Sequence, residues 1–192
     1  MGDVVFGDYK KVQALKNIRL KSYSYKTNGY YFVTICTDHR KPFLADKIKF
    51  VVAQFIEPSC RNRPDKIGAT TNRLINQATT SNVKEFLGMK GVYVDYYEIV
   101  PTHMHIIIIL EGSTYSLSEV IRRFKAKTTL EVARFIGQKG FKLWQPNYYE
   151  HIIRTEKALQ KIREYIRNNP LKEKIDLSEI YDKDADKSAD TE

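Results

Sequence analysis

Apolar positions along the chain recur with two different periods, and the switches between them mark the elements. Tyr30 to Thr37 (YYFVTICT) is dense in β-branched and aromatic residues, which suit a pleated, buried surface, and is a predicted strand. Asp46 to Cys60 places Ile48, Val51, Val52, Phe55 and Ile56 at helical spacing, with Pro58 near the end. Residues 61 to 88 turn polar, with Asn, Thr and Gly clusters and one short helical piece around Val83 to Leu87, so a loop or insertion is expected there. Gly91 to Val100 (GVYVDYYEIV) and His103 to Leu110 (HMHIIIIL) are two more predicted strands, joined by Pro101-Thr102. The second is apolar at every position after its start, as a central strand covered on both faces would be. Ser116 to Glu119 fits a capping box and opens a helix to about Ile136, with Val120, Ile121, Phe124, Ala133 and Ile136 as its apolar set and Gly137 and Gly140 closing it. Leu143 to Arg154 contains a last strand, best at His151 to Arg154. Thr155 then caps a helix through Asn168 that Asn169-Pro170 ends.

The order is β-α-β-β-α-β-α. Its first six elements are those of a ferredoxin-like or RRM-like α+β fold, a four-stranded antiparallel sheet with two helices on one face and the other face available to a substrate. The last helix is an addition to that frame. Three regions follow: a basic N-terminal arm over residues 1–28, a folded body over 29–172 that contains the 61–88 loop, and a tail over 173–192. The tail holds eight carboxylates against three lysines, a net of −5, so the remainder of a chain whose total is +9 carries +14. That excess of cations, with 13 Tyr and 9 Phe, is suited to phosphates and stacked bases. A basic protein with no nucleic-acid role has the same arithmetic, so charge alone does not decide. No apolar run nears the roughly 20 residues that span a bilayer. The start, MGDVVFGDYKK, lacks a basic region followed by an apolar one, so a cytoplasmic location is expected. With two cysteines, Cys36 and Cys60, a disulfide scaffold is excluded and reduced, buried thiols are expected.

Two constellations carry chemistry. His103 and His105 flank Met104, and on a strand such positions share a face, so two imidazoles converge as a serviceable pair of metal ligands. The plain alternative is two hydrogen-bonded histidines on a sheet. Tyr165 and Asn169 lie four apart, one helical turn, and offer a hydroxyl and an amide carbonyl able to ligate a metal. Here too a plainer account exists: Tyr165 borders the apolar stripe of Ala158, Leu159, Ile162 and Ile166, and Asn169 precedes a proline.

PTHMHIIIIL is similar to the HUH motif (His, hydrophobic, His) of single-strand DNA nucleases, and REYIRNNP resembles the tyrosine motif of IS200/IS605-like Y1 transposases. GYYFVTICT and FKLWQPNYYEHIIRTEK resemble the REP-associated tyrosine transposases more closely, and the likeness runs from about Ile18 to Lys172. The resemblance implies an RRM-like catalytic domain over 29–172 that cleaves and rejoins single-stranded or hairpin DNA with a tyrosine nucleophile and a divalent metal, Mg²⁺ or Mn²⁺. By position, His103, His105 and Asn169 match the metal ligands and Tyr165 the nucleophile. Asn169 stands where IS200/IS605-like enzymes typically have Gln; the REP-associated group resembles this sequence in having Asn there. The family includes monomers and homodimers, the latter with the tyrosine helix serving the partner. For DNA, Arg122, Arg123, Lys125 and Lys127 are expected to track phosphates, Arg19, Lys21 and Lys26 to grip a hairpin base, and Tyr23 and Tyr25 to stack. Tyr148 and Tyr149 are rival nucleophiles without an amide one turn on, with Tyr148 expected to take the role first if Tyr165 does not. Two other readings stand beside this one. A non-catalytic RRM-like binder would need no convergence of His103, His105 and Tyr165. A metal-dependent hydrolase would need a carboxylate, Glu98 or Glu150, near the imidazoles.

Overall fold

The computed structural model describes residues 28–61, 83–168 and 170–172. The arm over 1–28 (but for Asn28), most of the 61–88 loop, Asn169 and the 173–192 tail fall outside the described residues. The elements are β1 (Gly29–Cys36), α1 (Asp46–Ala53), β2 (Val92–Val100), β3 (His103–Leu110), α2 (Leu117–Ile136), β4 (Tyr149–Ile153) and α3 (Glu156–Asn168). The strands form one antiparallel sheet in the order β2-β3-β1-β4, as the α+β frame requires.

Each face of the sheet has its own core. Val33, Ile35, Val92, Val94, Tyr97, Met104, Ile106, Ile108 and Leu110 pack under α1 and α2. On the other face Phe32, Tyr96, Ile107 and Ile153 pack under Ala158, Leu159, Ile162 and Ile166 of α3. The unbroken apolar run of β3 follows from this: water reaches neither side, so neither set of alternate positions is free to be polar. The added helix thus occupies part of the face that a bare four-stranded sheet would leave open.

Local chemistry sets the boundaries. Ser116 caps α2 by accepting from the Glu119 amide, and Gly137 ends it at φ 70°, a left-handed conformation that costs glycine nothing. Thr155 does the same for α3 by accepting from the Ala158 amide at 3.2 Å. Gly91 leads into β2 with φ +73°, and a Cβ there would lie 2.4 Å from the Glu111 carbonyl, so only glycine fits. The helix predicted over Asp46 to Cys60 stops at Ala53. Residues 54–56 turn, and Pro58, with no amide hydrogen, sits in a short 3₁₀ turn over Glu57–Ser59. The last strand begins at Tyr149, and Trp144 is joined by an isolated bridge to Thr37, just past the end of β1. Cys36 and Cys60 are both buried thiols with no disulfide between them.

Candidate active site

The β2–β3 hairpin turns on Pro101-Thr102, which pairs Val100 with His103 and starts β3 on the first imidazole. β1 lies alongside, with Cys36 opposite His103 and Thr34 opposite His105. Both histidines are buried, at 1% exposure each. Their rings meet edge to face with centroids 4.8 Å apart, and Phe32 stacks on His105 at 5.4 Å. Each Nε2 faces a backbone carbonyl: His103 that of Pro170 at 3.1 Å, His105 that of Lys172 at 2.8 Å. A carbonyl only accepts, so in this arrangement each Nε2 carries the hydrogen and donates. Each Nδ1 then accepts from a threonine hydroxyl, Thr102 at 3.0 Å and Thr34 at 2.9 Å.

Burial makes protonation of these rings costly. It pushes His103 below the ordinary histidine range, and the nearby Arg40 guanidinium adds to the effect. Burial takes His105 down to about 4, with repulsion from His103 contributing. The pair is therefore neutral at pH 7, the state in which imidazole can ligate a cation. A cation held by the two Nε2 atoms would need the hydrogen on Nδ1 instead. A hydroxyl can accept as readily as it donates, so Thr34 and Thr102 support either tautomer. Among the described residues no group of three or more His, Cys, Asp or Glu side chains could complete a metal site. Asn169 lies outside the described residues.

Tyr165 sits at the edge of the apolar stripe of α3, at 8% exposure. The Lys172 ammonium lies 5.8 Å from the centroid of its ring, and the carbonyl of that same lysine accepts from His105. One residue thus touches the tyrosine at one end and the imidazole pair at the other. The rival tyrosines divide between faces: Tyr148 packs toward the core under α1 and α2, whereas Tyr149 is opposite Thr34 and shares the face of the imidazoles. The carboxylates do not join the site. Glu98 is opposite His105, but its oxygen lies 3.9 Å from the Lys49 ammonium and burial raises its pKa. Glu150 is opposite Val33, a residue of the other face.

The predicted DNA-contacting cations fall into three groups. Arg19, Lys21 and Lys26, with Tyr23 and Tyr25, lie outside the described residues. Arg122, Arg123 and Lys127 are exposed on α2, across the sheet from the imidazoles, with Arg123 bonded to Glu119 at 2.9 Å. Lys125 departs from the expectation of a solvent-facing cation. Its ammonium donates to the carbonyls of Gln145, Pro146 and Asn147 at 2.8, 3.2 and 2.9 Å and lies over the Tyr148 ring, and burial pushes it down to about 8. It straps the segment before β4 to α2. Pattern reading also passes over Asp95 and Arg163, which pair across β2 and α3 at 2.7 and 2.5 Å. A carboxylate, Asp95, in the middle of a largely apolar strand was the signal.

A model of the family described as Transposase IS200 like matches residues 66–169, more than half of the sequence. The chain belongs to this Y1 transposase family. It is 31% identical to an uncharacterized protein of Haemophilus influenzae, over 81% of this chain and 88% of that one. It is 26% identical to the REP-associated tyrosine transposase of Escherichia coli, over 62% of this chain and 66% of that protein. Among solved structures it is similar to a REP-associated tyrosine transposase bound to a REP hairpin, with a TM-score of 0.47 and 21% identity over 80% of this chain and 73% of the other.

Proposed function

We propose that this transposase cleaves and rejoins single-stranded DNA beside hairpin-forming, REP-like repeats, with Tyr165 as nucleophile and His103 and His105 holding a divalent cation, Mg²⁺ or Mn²⁺. The observation that carries the reading is the meeting at Lys172 of a buried neutral imidazole pair and the Tyr165 ring. The donor set fits such an ion: two neutral nitrogens on a rigid strand, each backed by a hydroxyl that tolerates either tautomer. When bound, the cation supplies positive charge that polarises a nonbridging phosphate oxygen. Asn169, four residues after Tyr165 in the sequence, is assigned by the family resemblance as a further oxygen ligand.

The chain's own groups do the rest. Tyr165 loses its phenolic proton and its oxygen bonds to phosphorus. The bond from phosphorus to the 3′ oxygen breaks, and that oxygen leaves as a 3′-hydroxyl after taking up a proton. The DNA is left as a 5′-phosphotyrosine, so the energy of the phosphodiester is kept in the covalent link. Attack by a second 3′-hydroxyl reverses the step, frees Tyr165 and joins new strands without ATP. Burial of Tyr165 among the α3 contacts holds the phenol in place, and the exposed Arg122, Arg123 and Lys127 bind DNA backbone at a distance from the reacting atoms.

The test is incubation with single-stranded repeats flanking the chain's own gene plus Mn²⁺, read as a protein–DNA adduct on a denaturing gel. The adduct is expected with the native chain, absent in EDTA and in His103→Ala, and absent in Tyr165→Phe with hairpin binding retained. Adduct formation by Tyr165→Phe would move the nucleophile elsewhere, to Tyr149 first. Full cleavage in EDTA would remove the metal role.

A further inference from the structure

β2 contains one residue more than its partner can match. Val94 is opposite Ile108 and Tyr96 is opposite Ile107, which leaves Asp95 as the extra residue of a bulge. Val94 belongs to the core under α1 and α2, and Tyr96 to the core under α3. The bulge therefore switches the strand's facing and leaves a carboxylate, 2% exposed, at the switch point. Arg163 of α3 meets it with both prongs of the guanidinium, Nε on Oδ2 at 2.7 Å and Nη2 on Oδ1 at 2.5 Å. Glu156 also approaches Arg163, at 3.9 Å, but is mostly exposed.

A pair with its carboxylate buried and its guanidinium mostly so is a poor device for stability alone. Removing two charges from water costs about as much as their attraction returns, and well-packed apolar residues do as well or better. What a two-pronged pair adds is orientation. The apolar contacts of α3 do not supply it: Leu159, Ile162 and Ile166 gain nearly the same burial if the helix rolls a little about its axis, because the hydrophobic effect has no direction. At helical spacing Arg163 lies about 100° to one side of Ile162 and Tyr165 about 60° to the other. The ion pair and the phenol thus stand on opposite flanks of one stripe. With side-chain tips about 5–6 Å from the axis, a roll of about 20° carries a tip by about 2 Å. A misplacement of about 1 Å is enough to cost about 100-fold in rate.

We propose that Asp95 and Arg163 are positioning residues, a clamp that fixes the roll of α3 and so aims Tyr165 at the imidazole pair of its own chain. The proposal deepens the reading of Tyr165 as nucleophile and rests on it for its consequence in catalysis. The placement itself can be read without DNA or metal, by nitrating the full-length chain with tetranitromethane and quantifying the Tyr165 peptide by mass spectrometry. Asp95→Asn and Arg163→Gln are each expected to raise nitration of Tyr165 several-fold, the double variant no further, and Arg163→Lys, which keeps the charge without the fork, to fall between. Thermal melts identify any variant that no longer folds cooperatively, and Arg163→Lys then carries the comparison.

In the adduct assay with saturating hairpin DNA and Mn²⁺, the rate is expected to fall by about 30-fold or more in Arg163→Gln. The DNA concentration giving half of that rate is expected to stay unchanged. Unchanged nitration in Arg163→Gln overturns the clamp. So does a raised half-saturating concentration at an unchanged rate, which would make Arg163 a DNA contact. If nitration responds while even the native chain forms no adduct, the clamp stands and the proposed cleavage chemistry falls.

Discussion

Thr34 shows how much of a site can rest on a side chain with no role in the reaction. Its hydroxyl is bonded to His105 Nδ1, and it is itself fully buried. Replacing it with valine keeps the shape and removes the hydroxyl bonded to this ring nitrogen. Thr34→Val is expected to weaken Mn²⁺ binding by about 10-fold or more, measured by electron paramagnetic resonance titration. The neutral imidazoles also predict a pH effect in the metal-free chain. The unfolded chain takes up protons at these rings below about pH 6.5, whereas folded His105 does so only near 4, so the folded state binds fewer protons in between. Stability should be undiminished above that window and fall as pH drops through it, by roughly 3 kcal/mol for His105 by pH 4. Urea melts at pH 7, 5.5 and 4.5 check this, with a flatter profile expected for His105→Gln. The imidazole pair was legible in the sequence because i and i+2 of a strand share a face wherever the strand lies. Thr34 and the Lys172 carbonyl were not, since they arrive from residues about seventy positions away.

Among the elements, α3 was the most legible and also the most dependent on its surroundings. Its stripe of Ala158, Leu159, Ile162 and Ile166 predicted a buried side, and the structure supplies Phe32, Tyr96, Ile107 and Ile153 to cover it. Ile162 is fully buried in that contact. Ile162→Ala is expected to cost about 3 kcal/mol, read from urea unfolding. Adduct formation should fall further than the lost stability explains, since the loosened helix carries Tyr165. The end of α1 was misjudged because periodicity continues through Phe55 and Ile56, which still face the core from a turn. The bulge in β2 was invisible for a related reason. Asp95 marks the spot as a carboxylate among apolar residues, but that it is an extra residue shows only in the pairing with β3.

At the scale of the molecule, the sheet separates two tasks. One face holds the imidazoles and the tyrosine helix, and α2 on the opposite side presents Arg122, Arg123 and Lys127 to solvent. A strand of DNA meeting both must wrap an edge of the sheet. Arg122→Ala and Lys127→Ala are each expected to weaken hairpin binding and to lower the slope of log affinity against log salt by about 1. Lys125→Ala should leave the slope unchanged and instead speed amide exchange at Gln145 and Asn147, because its ammonium is already held by three carbonyls. Net charge suggested nucleic acid from the outset but could not sort these lysines, since only packing tells a cation that meets solvent from one that ties down a loop.

β1 lies between β3 and β4, pairing Thr34 with His105 on one side and with Tyr149 on the other. Successive residues of a strand point to opposite faces, so one added or deleted codon within Phe32–Thr34 would turn the rest of the strand over. Phe32 and Thr34 would then face opposite ways, so either the ring would leave His105 or the hydroxyl would leave the imidazole. Length variation among descendants of this gene should therefore gather between the elements and spare this strand altogether.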